Sequence, residues 1–138
     1  MYQIIDHTAD VGIRVKGSSL GELFAEAAAA MFDMMFEKKR HLIPSIEVPI
    51  SVEAPSVDQL MVRWLSELLY TFESRRLVLT NFWIDEIDGG HLHGTAKGLK
   101  FDNARHAQGM AIKAVTYHKL KIEEDDAGTW HAEVIFDI

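Results

Sequence analysis

Cysteine is absent from all 138 residues, which excludes disulfides, thiolate zinc sites and cysteine nucleophiles together. Long hydrophobic runs are also missing. No stretch of about 18 uncharged apolar residues occurs, so no segment is expected to cross a bilayer as a helix. The opening MYQIIDHTAD reaches an acidic residue at Asp6 without a basic run before it, unlike a secretory leader. These absences together suggest a cytoplasmic protein. Positive charge is scarce: the formal net charge is −7 and the pI is near 5.4. Nucleic-acid affinity comes largely from neutralising phosphates, so strong direct binding of RNA or DNA is not expected. The basic residues that do cluster, Lys38-Lys39-Arg40 and Arg75-Arg76, fall near expected helix ends, where cations complement the macrodipole. No phosphate-cradling glycine motif and no Gly-x-Ser-x-Gly elbow is present.

What is present is strong patterning. Residues 2–6 suit a first strand, and Val11, Ile13 and Val15 alternate as in a half-buried second one. Ser19 with Glu22 has capping-box spacing, and Leu20, Leu23, Phe24, Ala27, Ala28, Met31 and Met35 then repeat as in a helix ending near Phe36. Ile46, Val48, Ile50 and Val52 alternate with polar residues, and Pro49 places that strand at a sheet edge. Ser56 with Gln59 opens a second helix whose apolar stripe is Leu60, Met61, Trp64, Leu68 and Phe72. Phe82-Trp83-Ile84 and His91–Lys97 flank Asp88-Gly89-Gly90, a hairpin signal. Between 103 and 118, Ala107, Met110, Ala111, Ala114, Val115 and His118 have helical spacing, although Ala114–Tyr117 also suits a strand; the spacing predicts a helix. Residues 119–123 and 130–136 form a last hairpin across Asp125–Gly128. With no repeat, low-complexity tract or linker, residues 1–138 read as one α+β domain. Its expected form is two layers, with two or three helices packed on a largely antiparallel sheet.

Several polar groups are candidates for chemistry. His7-Thr8-Ala9-Asp10 lies between the first two strands, where a turn can carry function; Asp10 equally suits an Asx turn, and His7 a satisfied, half-buried imidazole. Asp137 falls on the opposite strand face from Val134 and Phe136, one residue from the carboxylate of Ile138. Negative groups that close repel unless a cation or a lysine lies between them. Oxygen-only ligands suit calcium, magnesium or manganese over zinc, while a carboxylate in that position is equally well served by solvent. His91 and His93 share a strand face, but no third ligand is spaced to join them. No pair of carboxylates is singled out for acid–base work. Trp64, Leu68 and Phe72 read as core rather than as an interaction stripe.

His7–Gly12, the Leu23-Phe24…Ala27-Ala28…Met31-Phe32 helix, Trp64–Tyr70, Ile112–His118 and Ala132–Ile138 together resemble the archease family, in order and along the whole chain. The resemblance implies a small α+β accessory protein, not an enzyme, that activates an RtcB-type RNA ligase. Such a protein promotes guanylate loading from GTP onto the ligase histidine and lets the ligase turn over repeatedly. Some members are also linked to a tRNA cytosine methyltransferase, whose specificity or solubility they improve. By the same resemblance a divalent cation, calcium with magnesium or manganese as alternatives, is held by Asp10, Asp137 and Ile138. Lys113 and His7 are the other positions tied to partner activation. Gly109-Met110-Ala111 departs from the pattern, because many relatives carry an acidic residue where Ala111 stands.

Overall fold

Alternating strands and two capped helices make up the protein in a computed structural model that describes residues 1–6, 10–37, 42–102 and 108–138. Strands β1 (Tyr2–Asp6) and β2 (Asp10–Gly17) are followed by helix α1 (Leu20–Met35) and strand β3 (Ile46–Glu53). Helix α2 (Val57–Arg75) leads to β4 (Leu77–Ile87), β5 (His91–Lys100), the short β6 (Ala114–Val115), β7 (Lys121–Glu124) and β8 (Trp130–Asp137). The expected α+β class is therefore observed, with every strand pairing antiparallel. The strands divide between two sheets. One runs β1-β2-β8-β6, with β7 also on β8, and the other runs β3-β5-β4. Pro49 lies on β3, an outer strand, where its missing N–H costs no ladder bond.

Both helices begin as their serines predict. Ser19 Oγ accepts the Glu22 backbone N–H at 3.1 Å, and Ser56 Oγ accepts that of Gln59 at 3.2 Å. The return half of the first box differs. The Glu22 carboxylate takes the Ser18 hydroxyl at 2.7 Å, and this bond with the Ser18 backbone N–H lowers its pKa. Helix α2 ends at Arg76 in the left-handed region (φ 55°), and the Arg76 guanidinium lies 4.7 Å from the ring centroids of both Phe72 and Phe101. Arg75 supplies the cation in the last turn, as expected, and Arg76 instead fills the space between two rings. Lys38, Lys39 and Arg40 lie outside the described residues.

The apolar faces of α1 and α2 meet in one core to which strands of both sheets contribute. Leu23, Phe24, Ala27, Ala28 and Met31 of α1 join Leu60, Met61, Trp64, Leu65 and Leu68 of α2, all fully shielded from solvent. Trp64 ties three elements together. Its indole N–H donates to the Phe24 carbonyl of α1 at 2.9 Å, and its ring lies 3.0 Å from where a Cβ on Gly94 of β5 would sit. Glycine at 94 thus makes room for the ring.

The helix expected within 103–118 is a correction. Residues 103–107 lie outside the described set, and 108–118 carry no helix. Their backbone groups pair elsewhere. Gly109 and Met110 N–H groups donate to the Met35 and Met34 carbonyls at the end of α1, and Lys113 and Thr116 N–H groups donate to the Asp137 and Ile135 carbonyls of β8. The helical spacing of Met110, Ala111, Ala114 and Val115 lost to these long-range partners. Only Ile112 among 108–118 is buried.

At the surface, the Tyr2 hydroxyl donates to Asp33 Oδ2 of α1 at 2.6 Å. Burial, then this bond and the Asp33 charge, push the phenol up to about 12 from 10.0. A raised value means that the contact's stabilisation is complete below the ordinary tyrosine pKa and is lost as pH rises through the folded value. Between pH 10.0 and about 12, the wild type should therefore lose stability that a Tyr2→Phe variant does not lose. Alkaline titration followed by tyrosinate absorbance and circular dichroism checks this.

Candidate functional site

Register brings the two distant aspartates together. In the β2–β8 ladder Asp10 is the direct cross-strand partner of Asp137, and on the other side of β8 Asp137 faces Ala114 of β6. Directly opposed residues on antiparallel strands point to the same face, with Cβ atoms about 4.5–5.5 Å apart. The row Asp10–Asp137–Ala114 therefore places two carboxylates side by side, and the small Ala114 adds little bulk beside them. Asp10 is half-buried, and its Oδ1 is sealed from solvent with no hydrogen-bond partner. It is the one buried side-chain polar atom so left among the described residues. An unmet buried acceptor costs about 1–3 kcal/mol, more when charged, and like charges facing across a ladder add to that.

The next row on this face explains the burial. Gly12 pairs with Ile5 of β1 and with Ile135 of β8. A Cβ on Gly12 would meet Ile135 Cδ1 at 2.7 Å, so Ile135 lies across the glycine and is itself only 1% exposed. A dry apolar floor thus adjoins the carboxylates, and charges there are less screened than in open water.

Lys113 reaches the same tip by a different route. Its backbone N–H donates to the Asp137 carbonyl at 2.8 Å, while buried Ile112 anchors the preceding residue in the core and leaves Lys113 exposed. Thr116 fastens the segment further along β8. Both its N–H (3.0 Å) and its hydroxyl (2.9 Å) donate to the Ile135 carbonyl, and the hydroxyl accepts the His118 N–H at 3.2 Å. Ile138, 36% exposed, follows Asp137 directly. Four of the expected site residues, Asp10, Lys113, Asp137 and Ile138, thus share one end of the five-stranded sheet. His7 lies outside the described residues. Gly12, Ile135 and Thr116 were not expected. A glycine on the opposite face from Val11, Ile13 and Val15 was the available signal, since glycine inside a strand often marks a close approach.

The donor set fits a hard cation, though incompletely. Among the described residues, no group of three or more His, Cys, Asp or Glu side chains converges as metal ligands. A cation at the row would rest on the Asp10 and Asp137 carboxylates, with main-chain oxygens, water or a partner's group completing the shell. All-oxygen coordination of this kind is the habit of calcium and magnesium. The buried, unbonded Asp10 Oδ1 is the atom such a cation would satisfy. His91 and His93 do stack edge-on at 4.8 Å on β5, but they belong to the other sheet. Cavities of about 140 and 260 Å3 lie along the outer face of β2 and β8, around Arg14 and His131, and neither includes Asp10 or Asp137. The carboxylate row is a tip rather than the floor of a pocket.

The whole chain is similar to proteins already known. Residues 2–138 match the model of the Archease protein family. A protein archease of Pyrococcus furiosus is 38% identical over 136 residues, covering 96% of this chain and 95% of the relative, and one of Methanosarcina mazei is 36% identical over 141 residues, covering 99% and 95%. The solution structure of Methanobacterium thermoautotrophicum protein 1598 superposes with a TM-score of 0.84 at 33% identity, covering 99% of this chain and 98% of that one. A crystal structure from Thermotoga maritima, described as an archease and possible chaperone, has a TM-score of 0.67 at 22% identity and shares the fold.

Proposed function

The chain belongs to the archease family, and on that premise we propose that it is a non-catalytic accessory protein that activates an RtcB-type RNA ligase in tRNA splicing and RNA repair. The observation that carries this reading is the Asp10–Asp137 pair, joined in register with a buried, unbonded oxygen on Asp10. When bound there, a divalent cation supplies concentrated positive charge at the tip; calcium is the first choice, with magnesium or manganese as alternatives. The chain's own groups do the rest. Asp10 and Asp137 would hold that charge, main-chain oxygens of Ile138 would extend the ligand set, and the exposed Lys113 amine stands on the segment hooked to Asp137. His7 is the remaining family position. A rigid charged tip of this kind, inserted beside the ligase nucleotide, favours guanylate transfer to the ligase histidine by electrostatic positioning and offers no nucleophile of its own.

Lys113 contributes its main-chain N–H to the fold and its side chain to solvent, so Lys113→Ala should fold normally. In a multiple-turnover ligation assay it is expected to lose about tenfold or more of the activation. Full activation by this variant would sink the tip mechanism. The description of the Thermotoga maritima relative as a possible chaperone favours a second reading, a chaperone-like modulator of a tRNA cytosine methyltransferase. That role needs neither Lys113 nor a cation, so the same variant, assayed on the methyltransferase, separates the two.

A further inference from the structure

The outer face of the three-stranded sheet has no part in the tip. Both helices pack on its inner side, where Val48, Ile50, Leu92 and Ala96 are buried. The outer positions carry exposed Glu47, Ser51 and Glu53 on β3 and exposed Trp83, Asp85 and Glu86 on β4. Between them β5 presents His91, His93, Thr95 and Lys97. Trp83 is 45% exposed, unusual for so large an apolar ring, and among the described residues no element covers it. Its ring already holds a cation: Lys97 Nζ lies 5.1 Å from the centroid. Asp85, the extra residue of a β-bulge, is pinned beside it by the Thr95 hydroxyl at 2.8 Å. Glu47, Trp83, Asp85, Thr95 and Lys97 line an open cavity of about 160 Å3.

We propose that this face docks a cationic segment of a partner protein, seating an arginine over the Trp83 ring between the Glu47 and Asp85 carboxylates. Charge complementarity selects the occupant. Among the described residues of this face, Glu47, Glu53, Asp85 and Glu86 outweigh the fixed cation Lys97, so a nucleic acid or a second copy of this acidic chain is repelled, whereas a basic strip is drawn in. The ring selects arginine over lysine, because a planar, weakly hydrated guanidinium stacks on an indole and still reaches both carboxylates. Lys97 occupies the seat in the free protein and must swing aside on docking.

That last feature gives a test with a sign that general charge attraction lacks. A fluorescently labelled Arg-Ser repeat peptide is titrated onto the full chain at low salt, with Lys-Ser and Glu-Ser repeats as controls, and anisotropy is read alongside the Trp83 indole N–H signal in NMR. The Arg-Ser peptide should bind tighter than the Lys-Ser peptide and shift the Trp83 signal, and the Glu-Ser peptide should not bind. Trp83→Ala should weaken Arg-Ser binding about fivefold or more, and Lys97→Ala should tighten it by a similar factor. Asp137→Asn should leave it unchanged. These side chains are on the surface, and thermal melts of each variant check that it folds. Binding indifferent to Trp83→Ala, or weakened by Lys97→Ala, overturns the proposal. Dimerisation that is abolished by Trp83→Ala would also overturn it, by assigning the face to a second copy.

Discussion

An Asp137→Asn variant is expected to be slightly more stable than the wild type without divalent cations and to gain nothing from their addition. Direct opposition of Asp10 and Asp137 is repulsive in the free protein; neutralising one partner relieves about 0.2–1 kcal/mol. A cation that binds only the folded wild type stabilises it by mass action, by about 2.7 kcal/mol at a hundred times Kd. Titrating calcium, magnesium and manganese separately during urea unfolding of both proteins reads the two effects as opposite shifts. The isosteric amide keeps the shape of the row and the main-chain carbonyl that receives Lys113, so the fold is not the casualty. Ligase activation should fall with the cation response. A wild-type midpoint that none of the three ions moves would remove the cation from the proposed mechanism.

Trp64→Ala should be the most damaging single change to the fold. The residue is fully buried, donates to the Phe24 carbonyl at 2.9 Å and packs over Gly94. Removing a buried tryptophan costs about 3–5 kcal/mol, transfer and cavity terms together. Against a total of about 5–15 kcal/mol for an ordinary domain, that is a large share. Because Gly94 has no side chain to fill the void, the site collapses poorly, favouring the upper end of that range. Urea denaturation should show a much lower midpoint with an unchanged slope. A loss under about 1 kcal/mol would mean that the two helices and β5 close over the gap, contrary to this account.

The strands and helix starts were legible because their signals are local. Alternation in Ile46–Val52 and the serines at 19 and 56 act within a few residues of themselves. What the chain does between 108 and 118 was not, because the deciding partners, Met34, Met35, Ile135 and Asp137, are remote in sequence and the alanines carry helical spacing whichever partners win. The division into two sheets was hidden for the same reason. Asp10 and Asp137 were identifiable as candidates, but their meeting depends on β2–β8 register, which no local pattern encodes. The sealed Asp10 Oδ1 and the Ile135 cover over Gly12 are products of that register.

The position of β8 within its sheet has a consequence for binding. It is flanked by β2 along its whole length and by β7 and β6 on the other side. Local fraying starts where a strand has a bare flank, and Asp137 has none. Its main chain is held from both sides, by Asp10 of β2 and by Ala114 and Lys113 on the other flank. A partner meeting this end of the molecule encounters a group already immobilised, and association forfeits little freedom in arranging it.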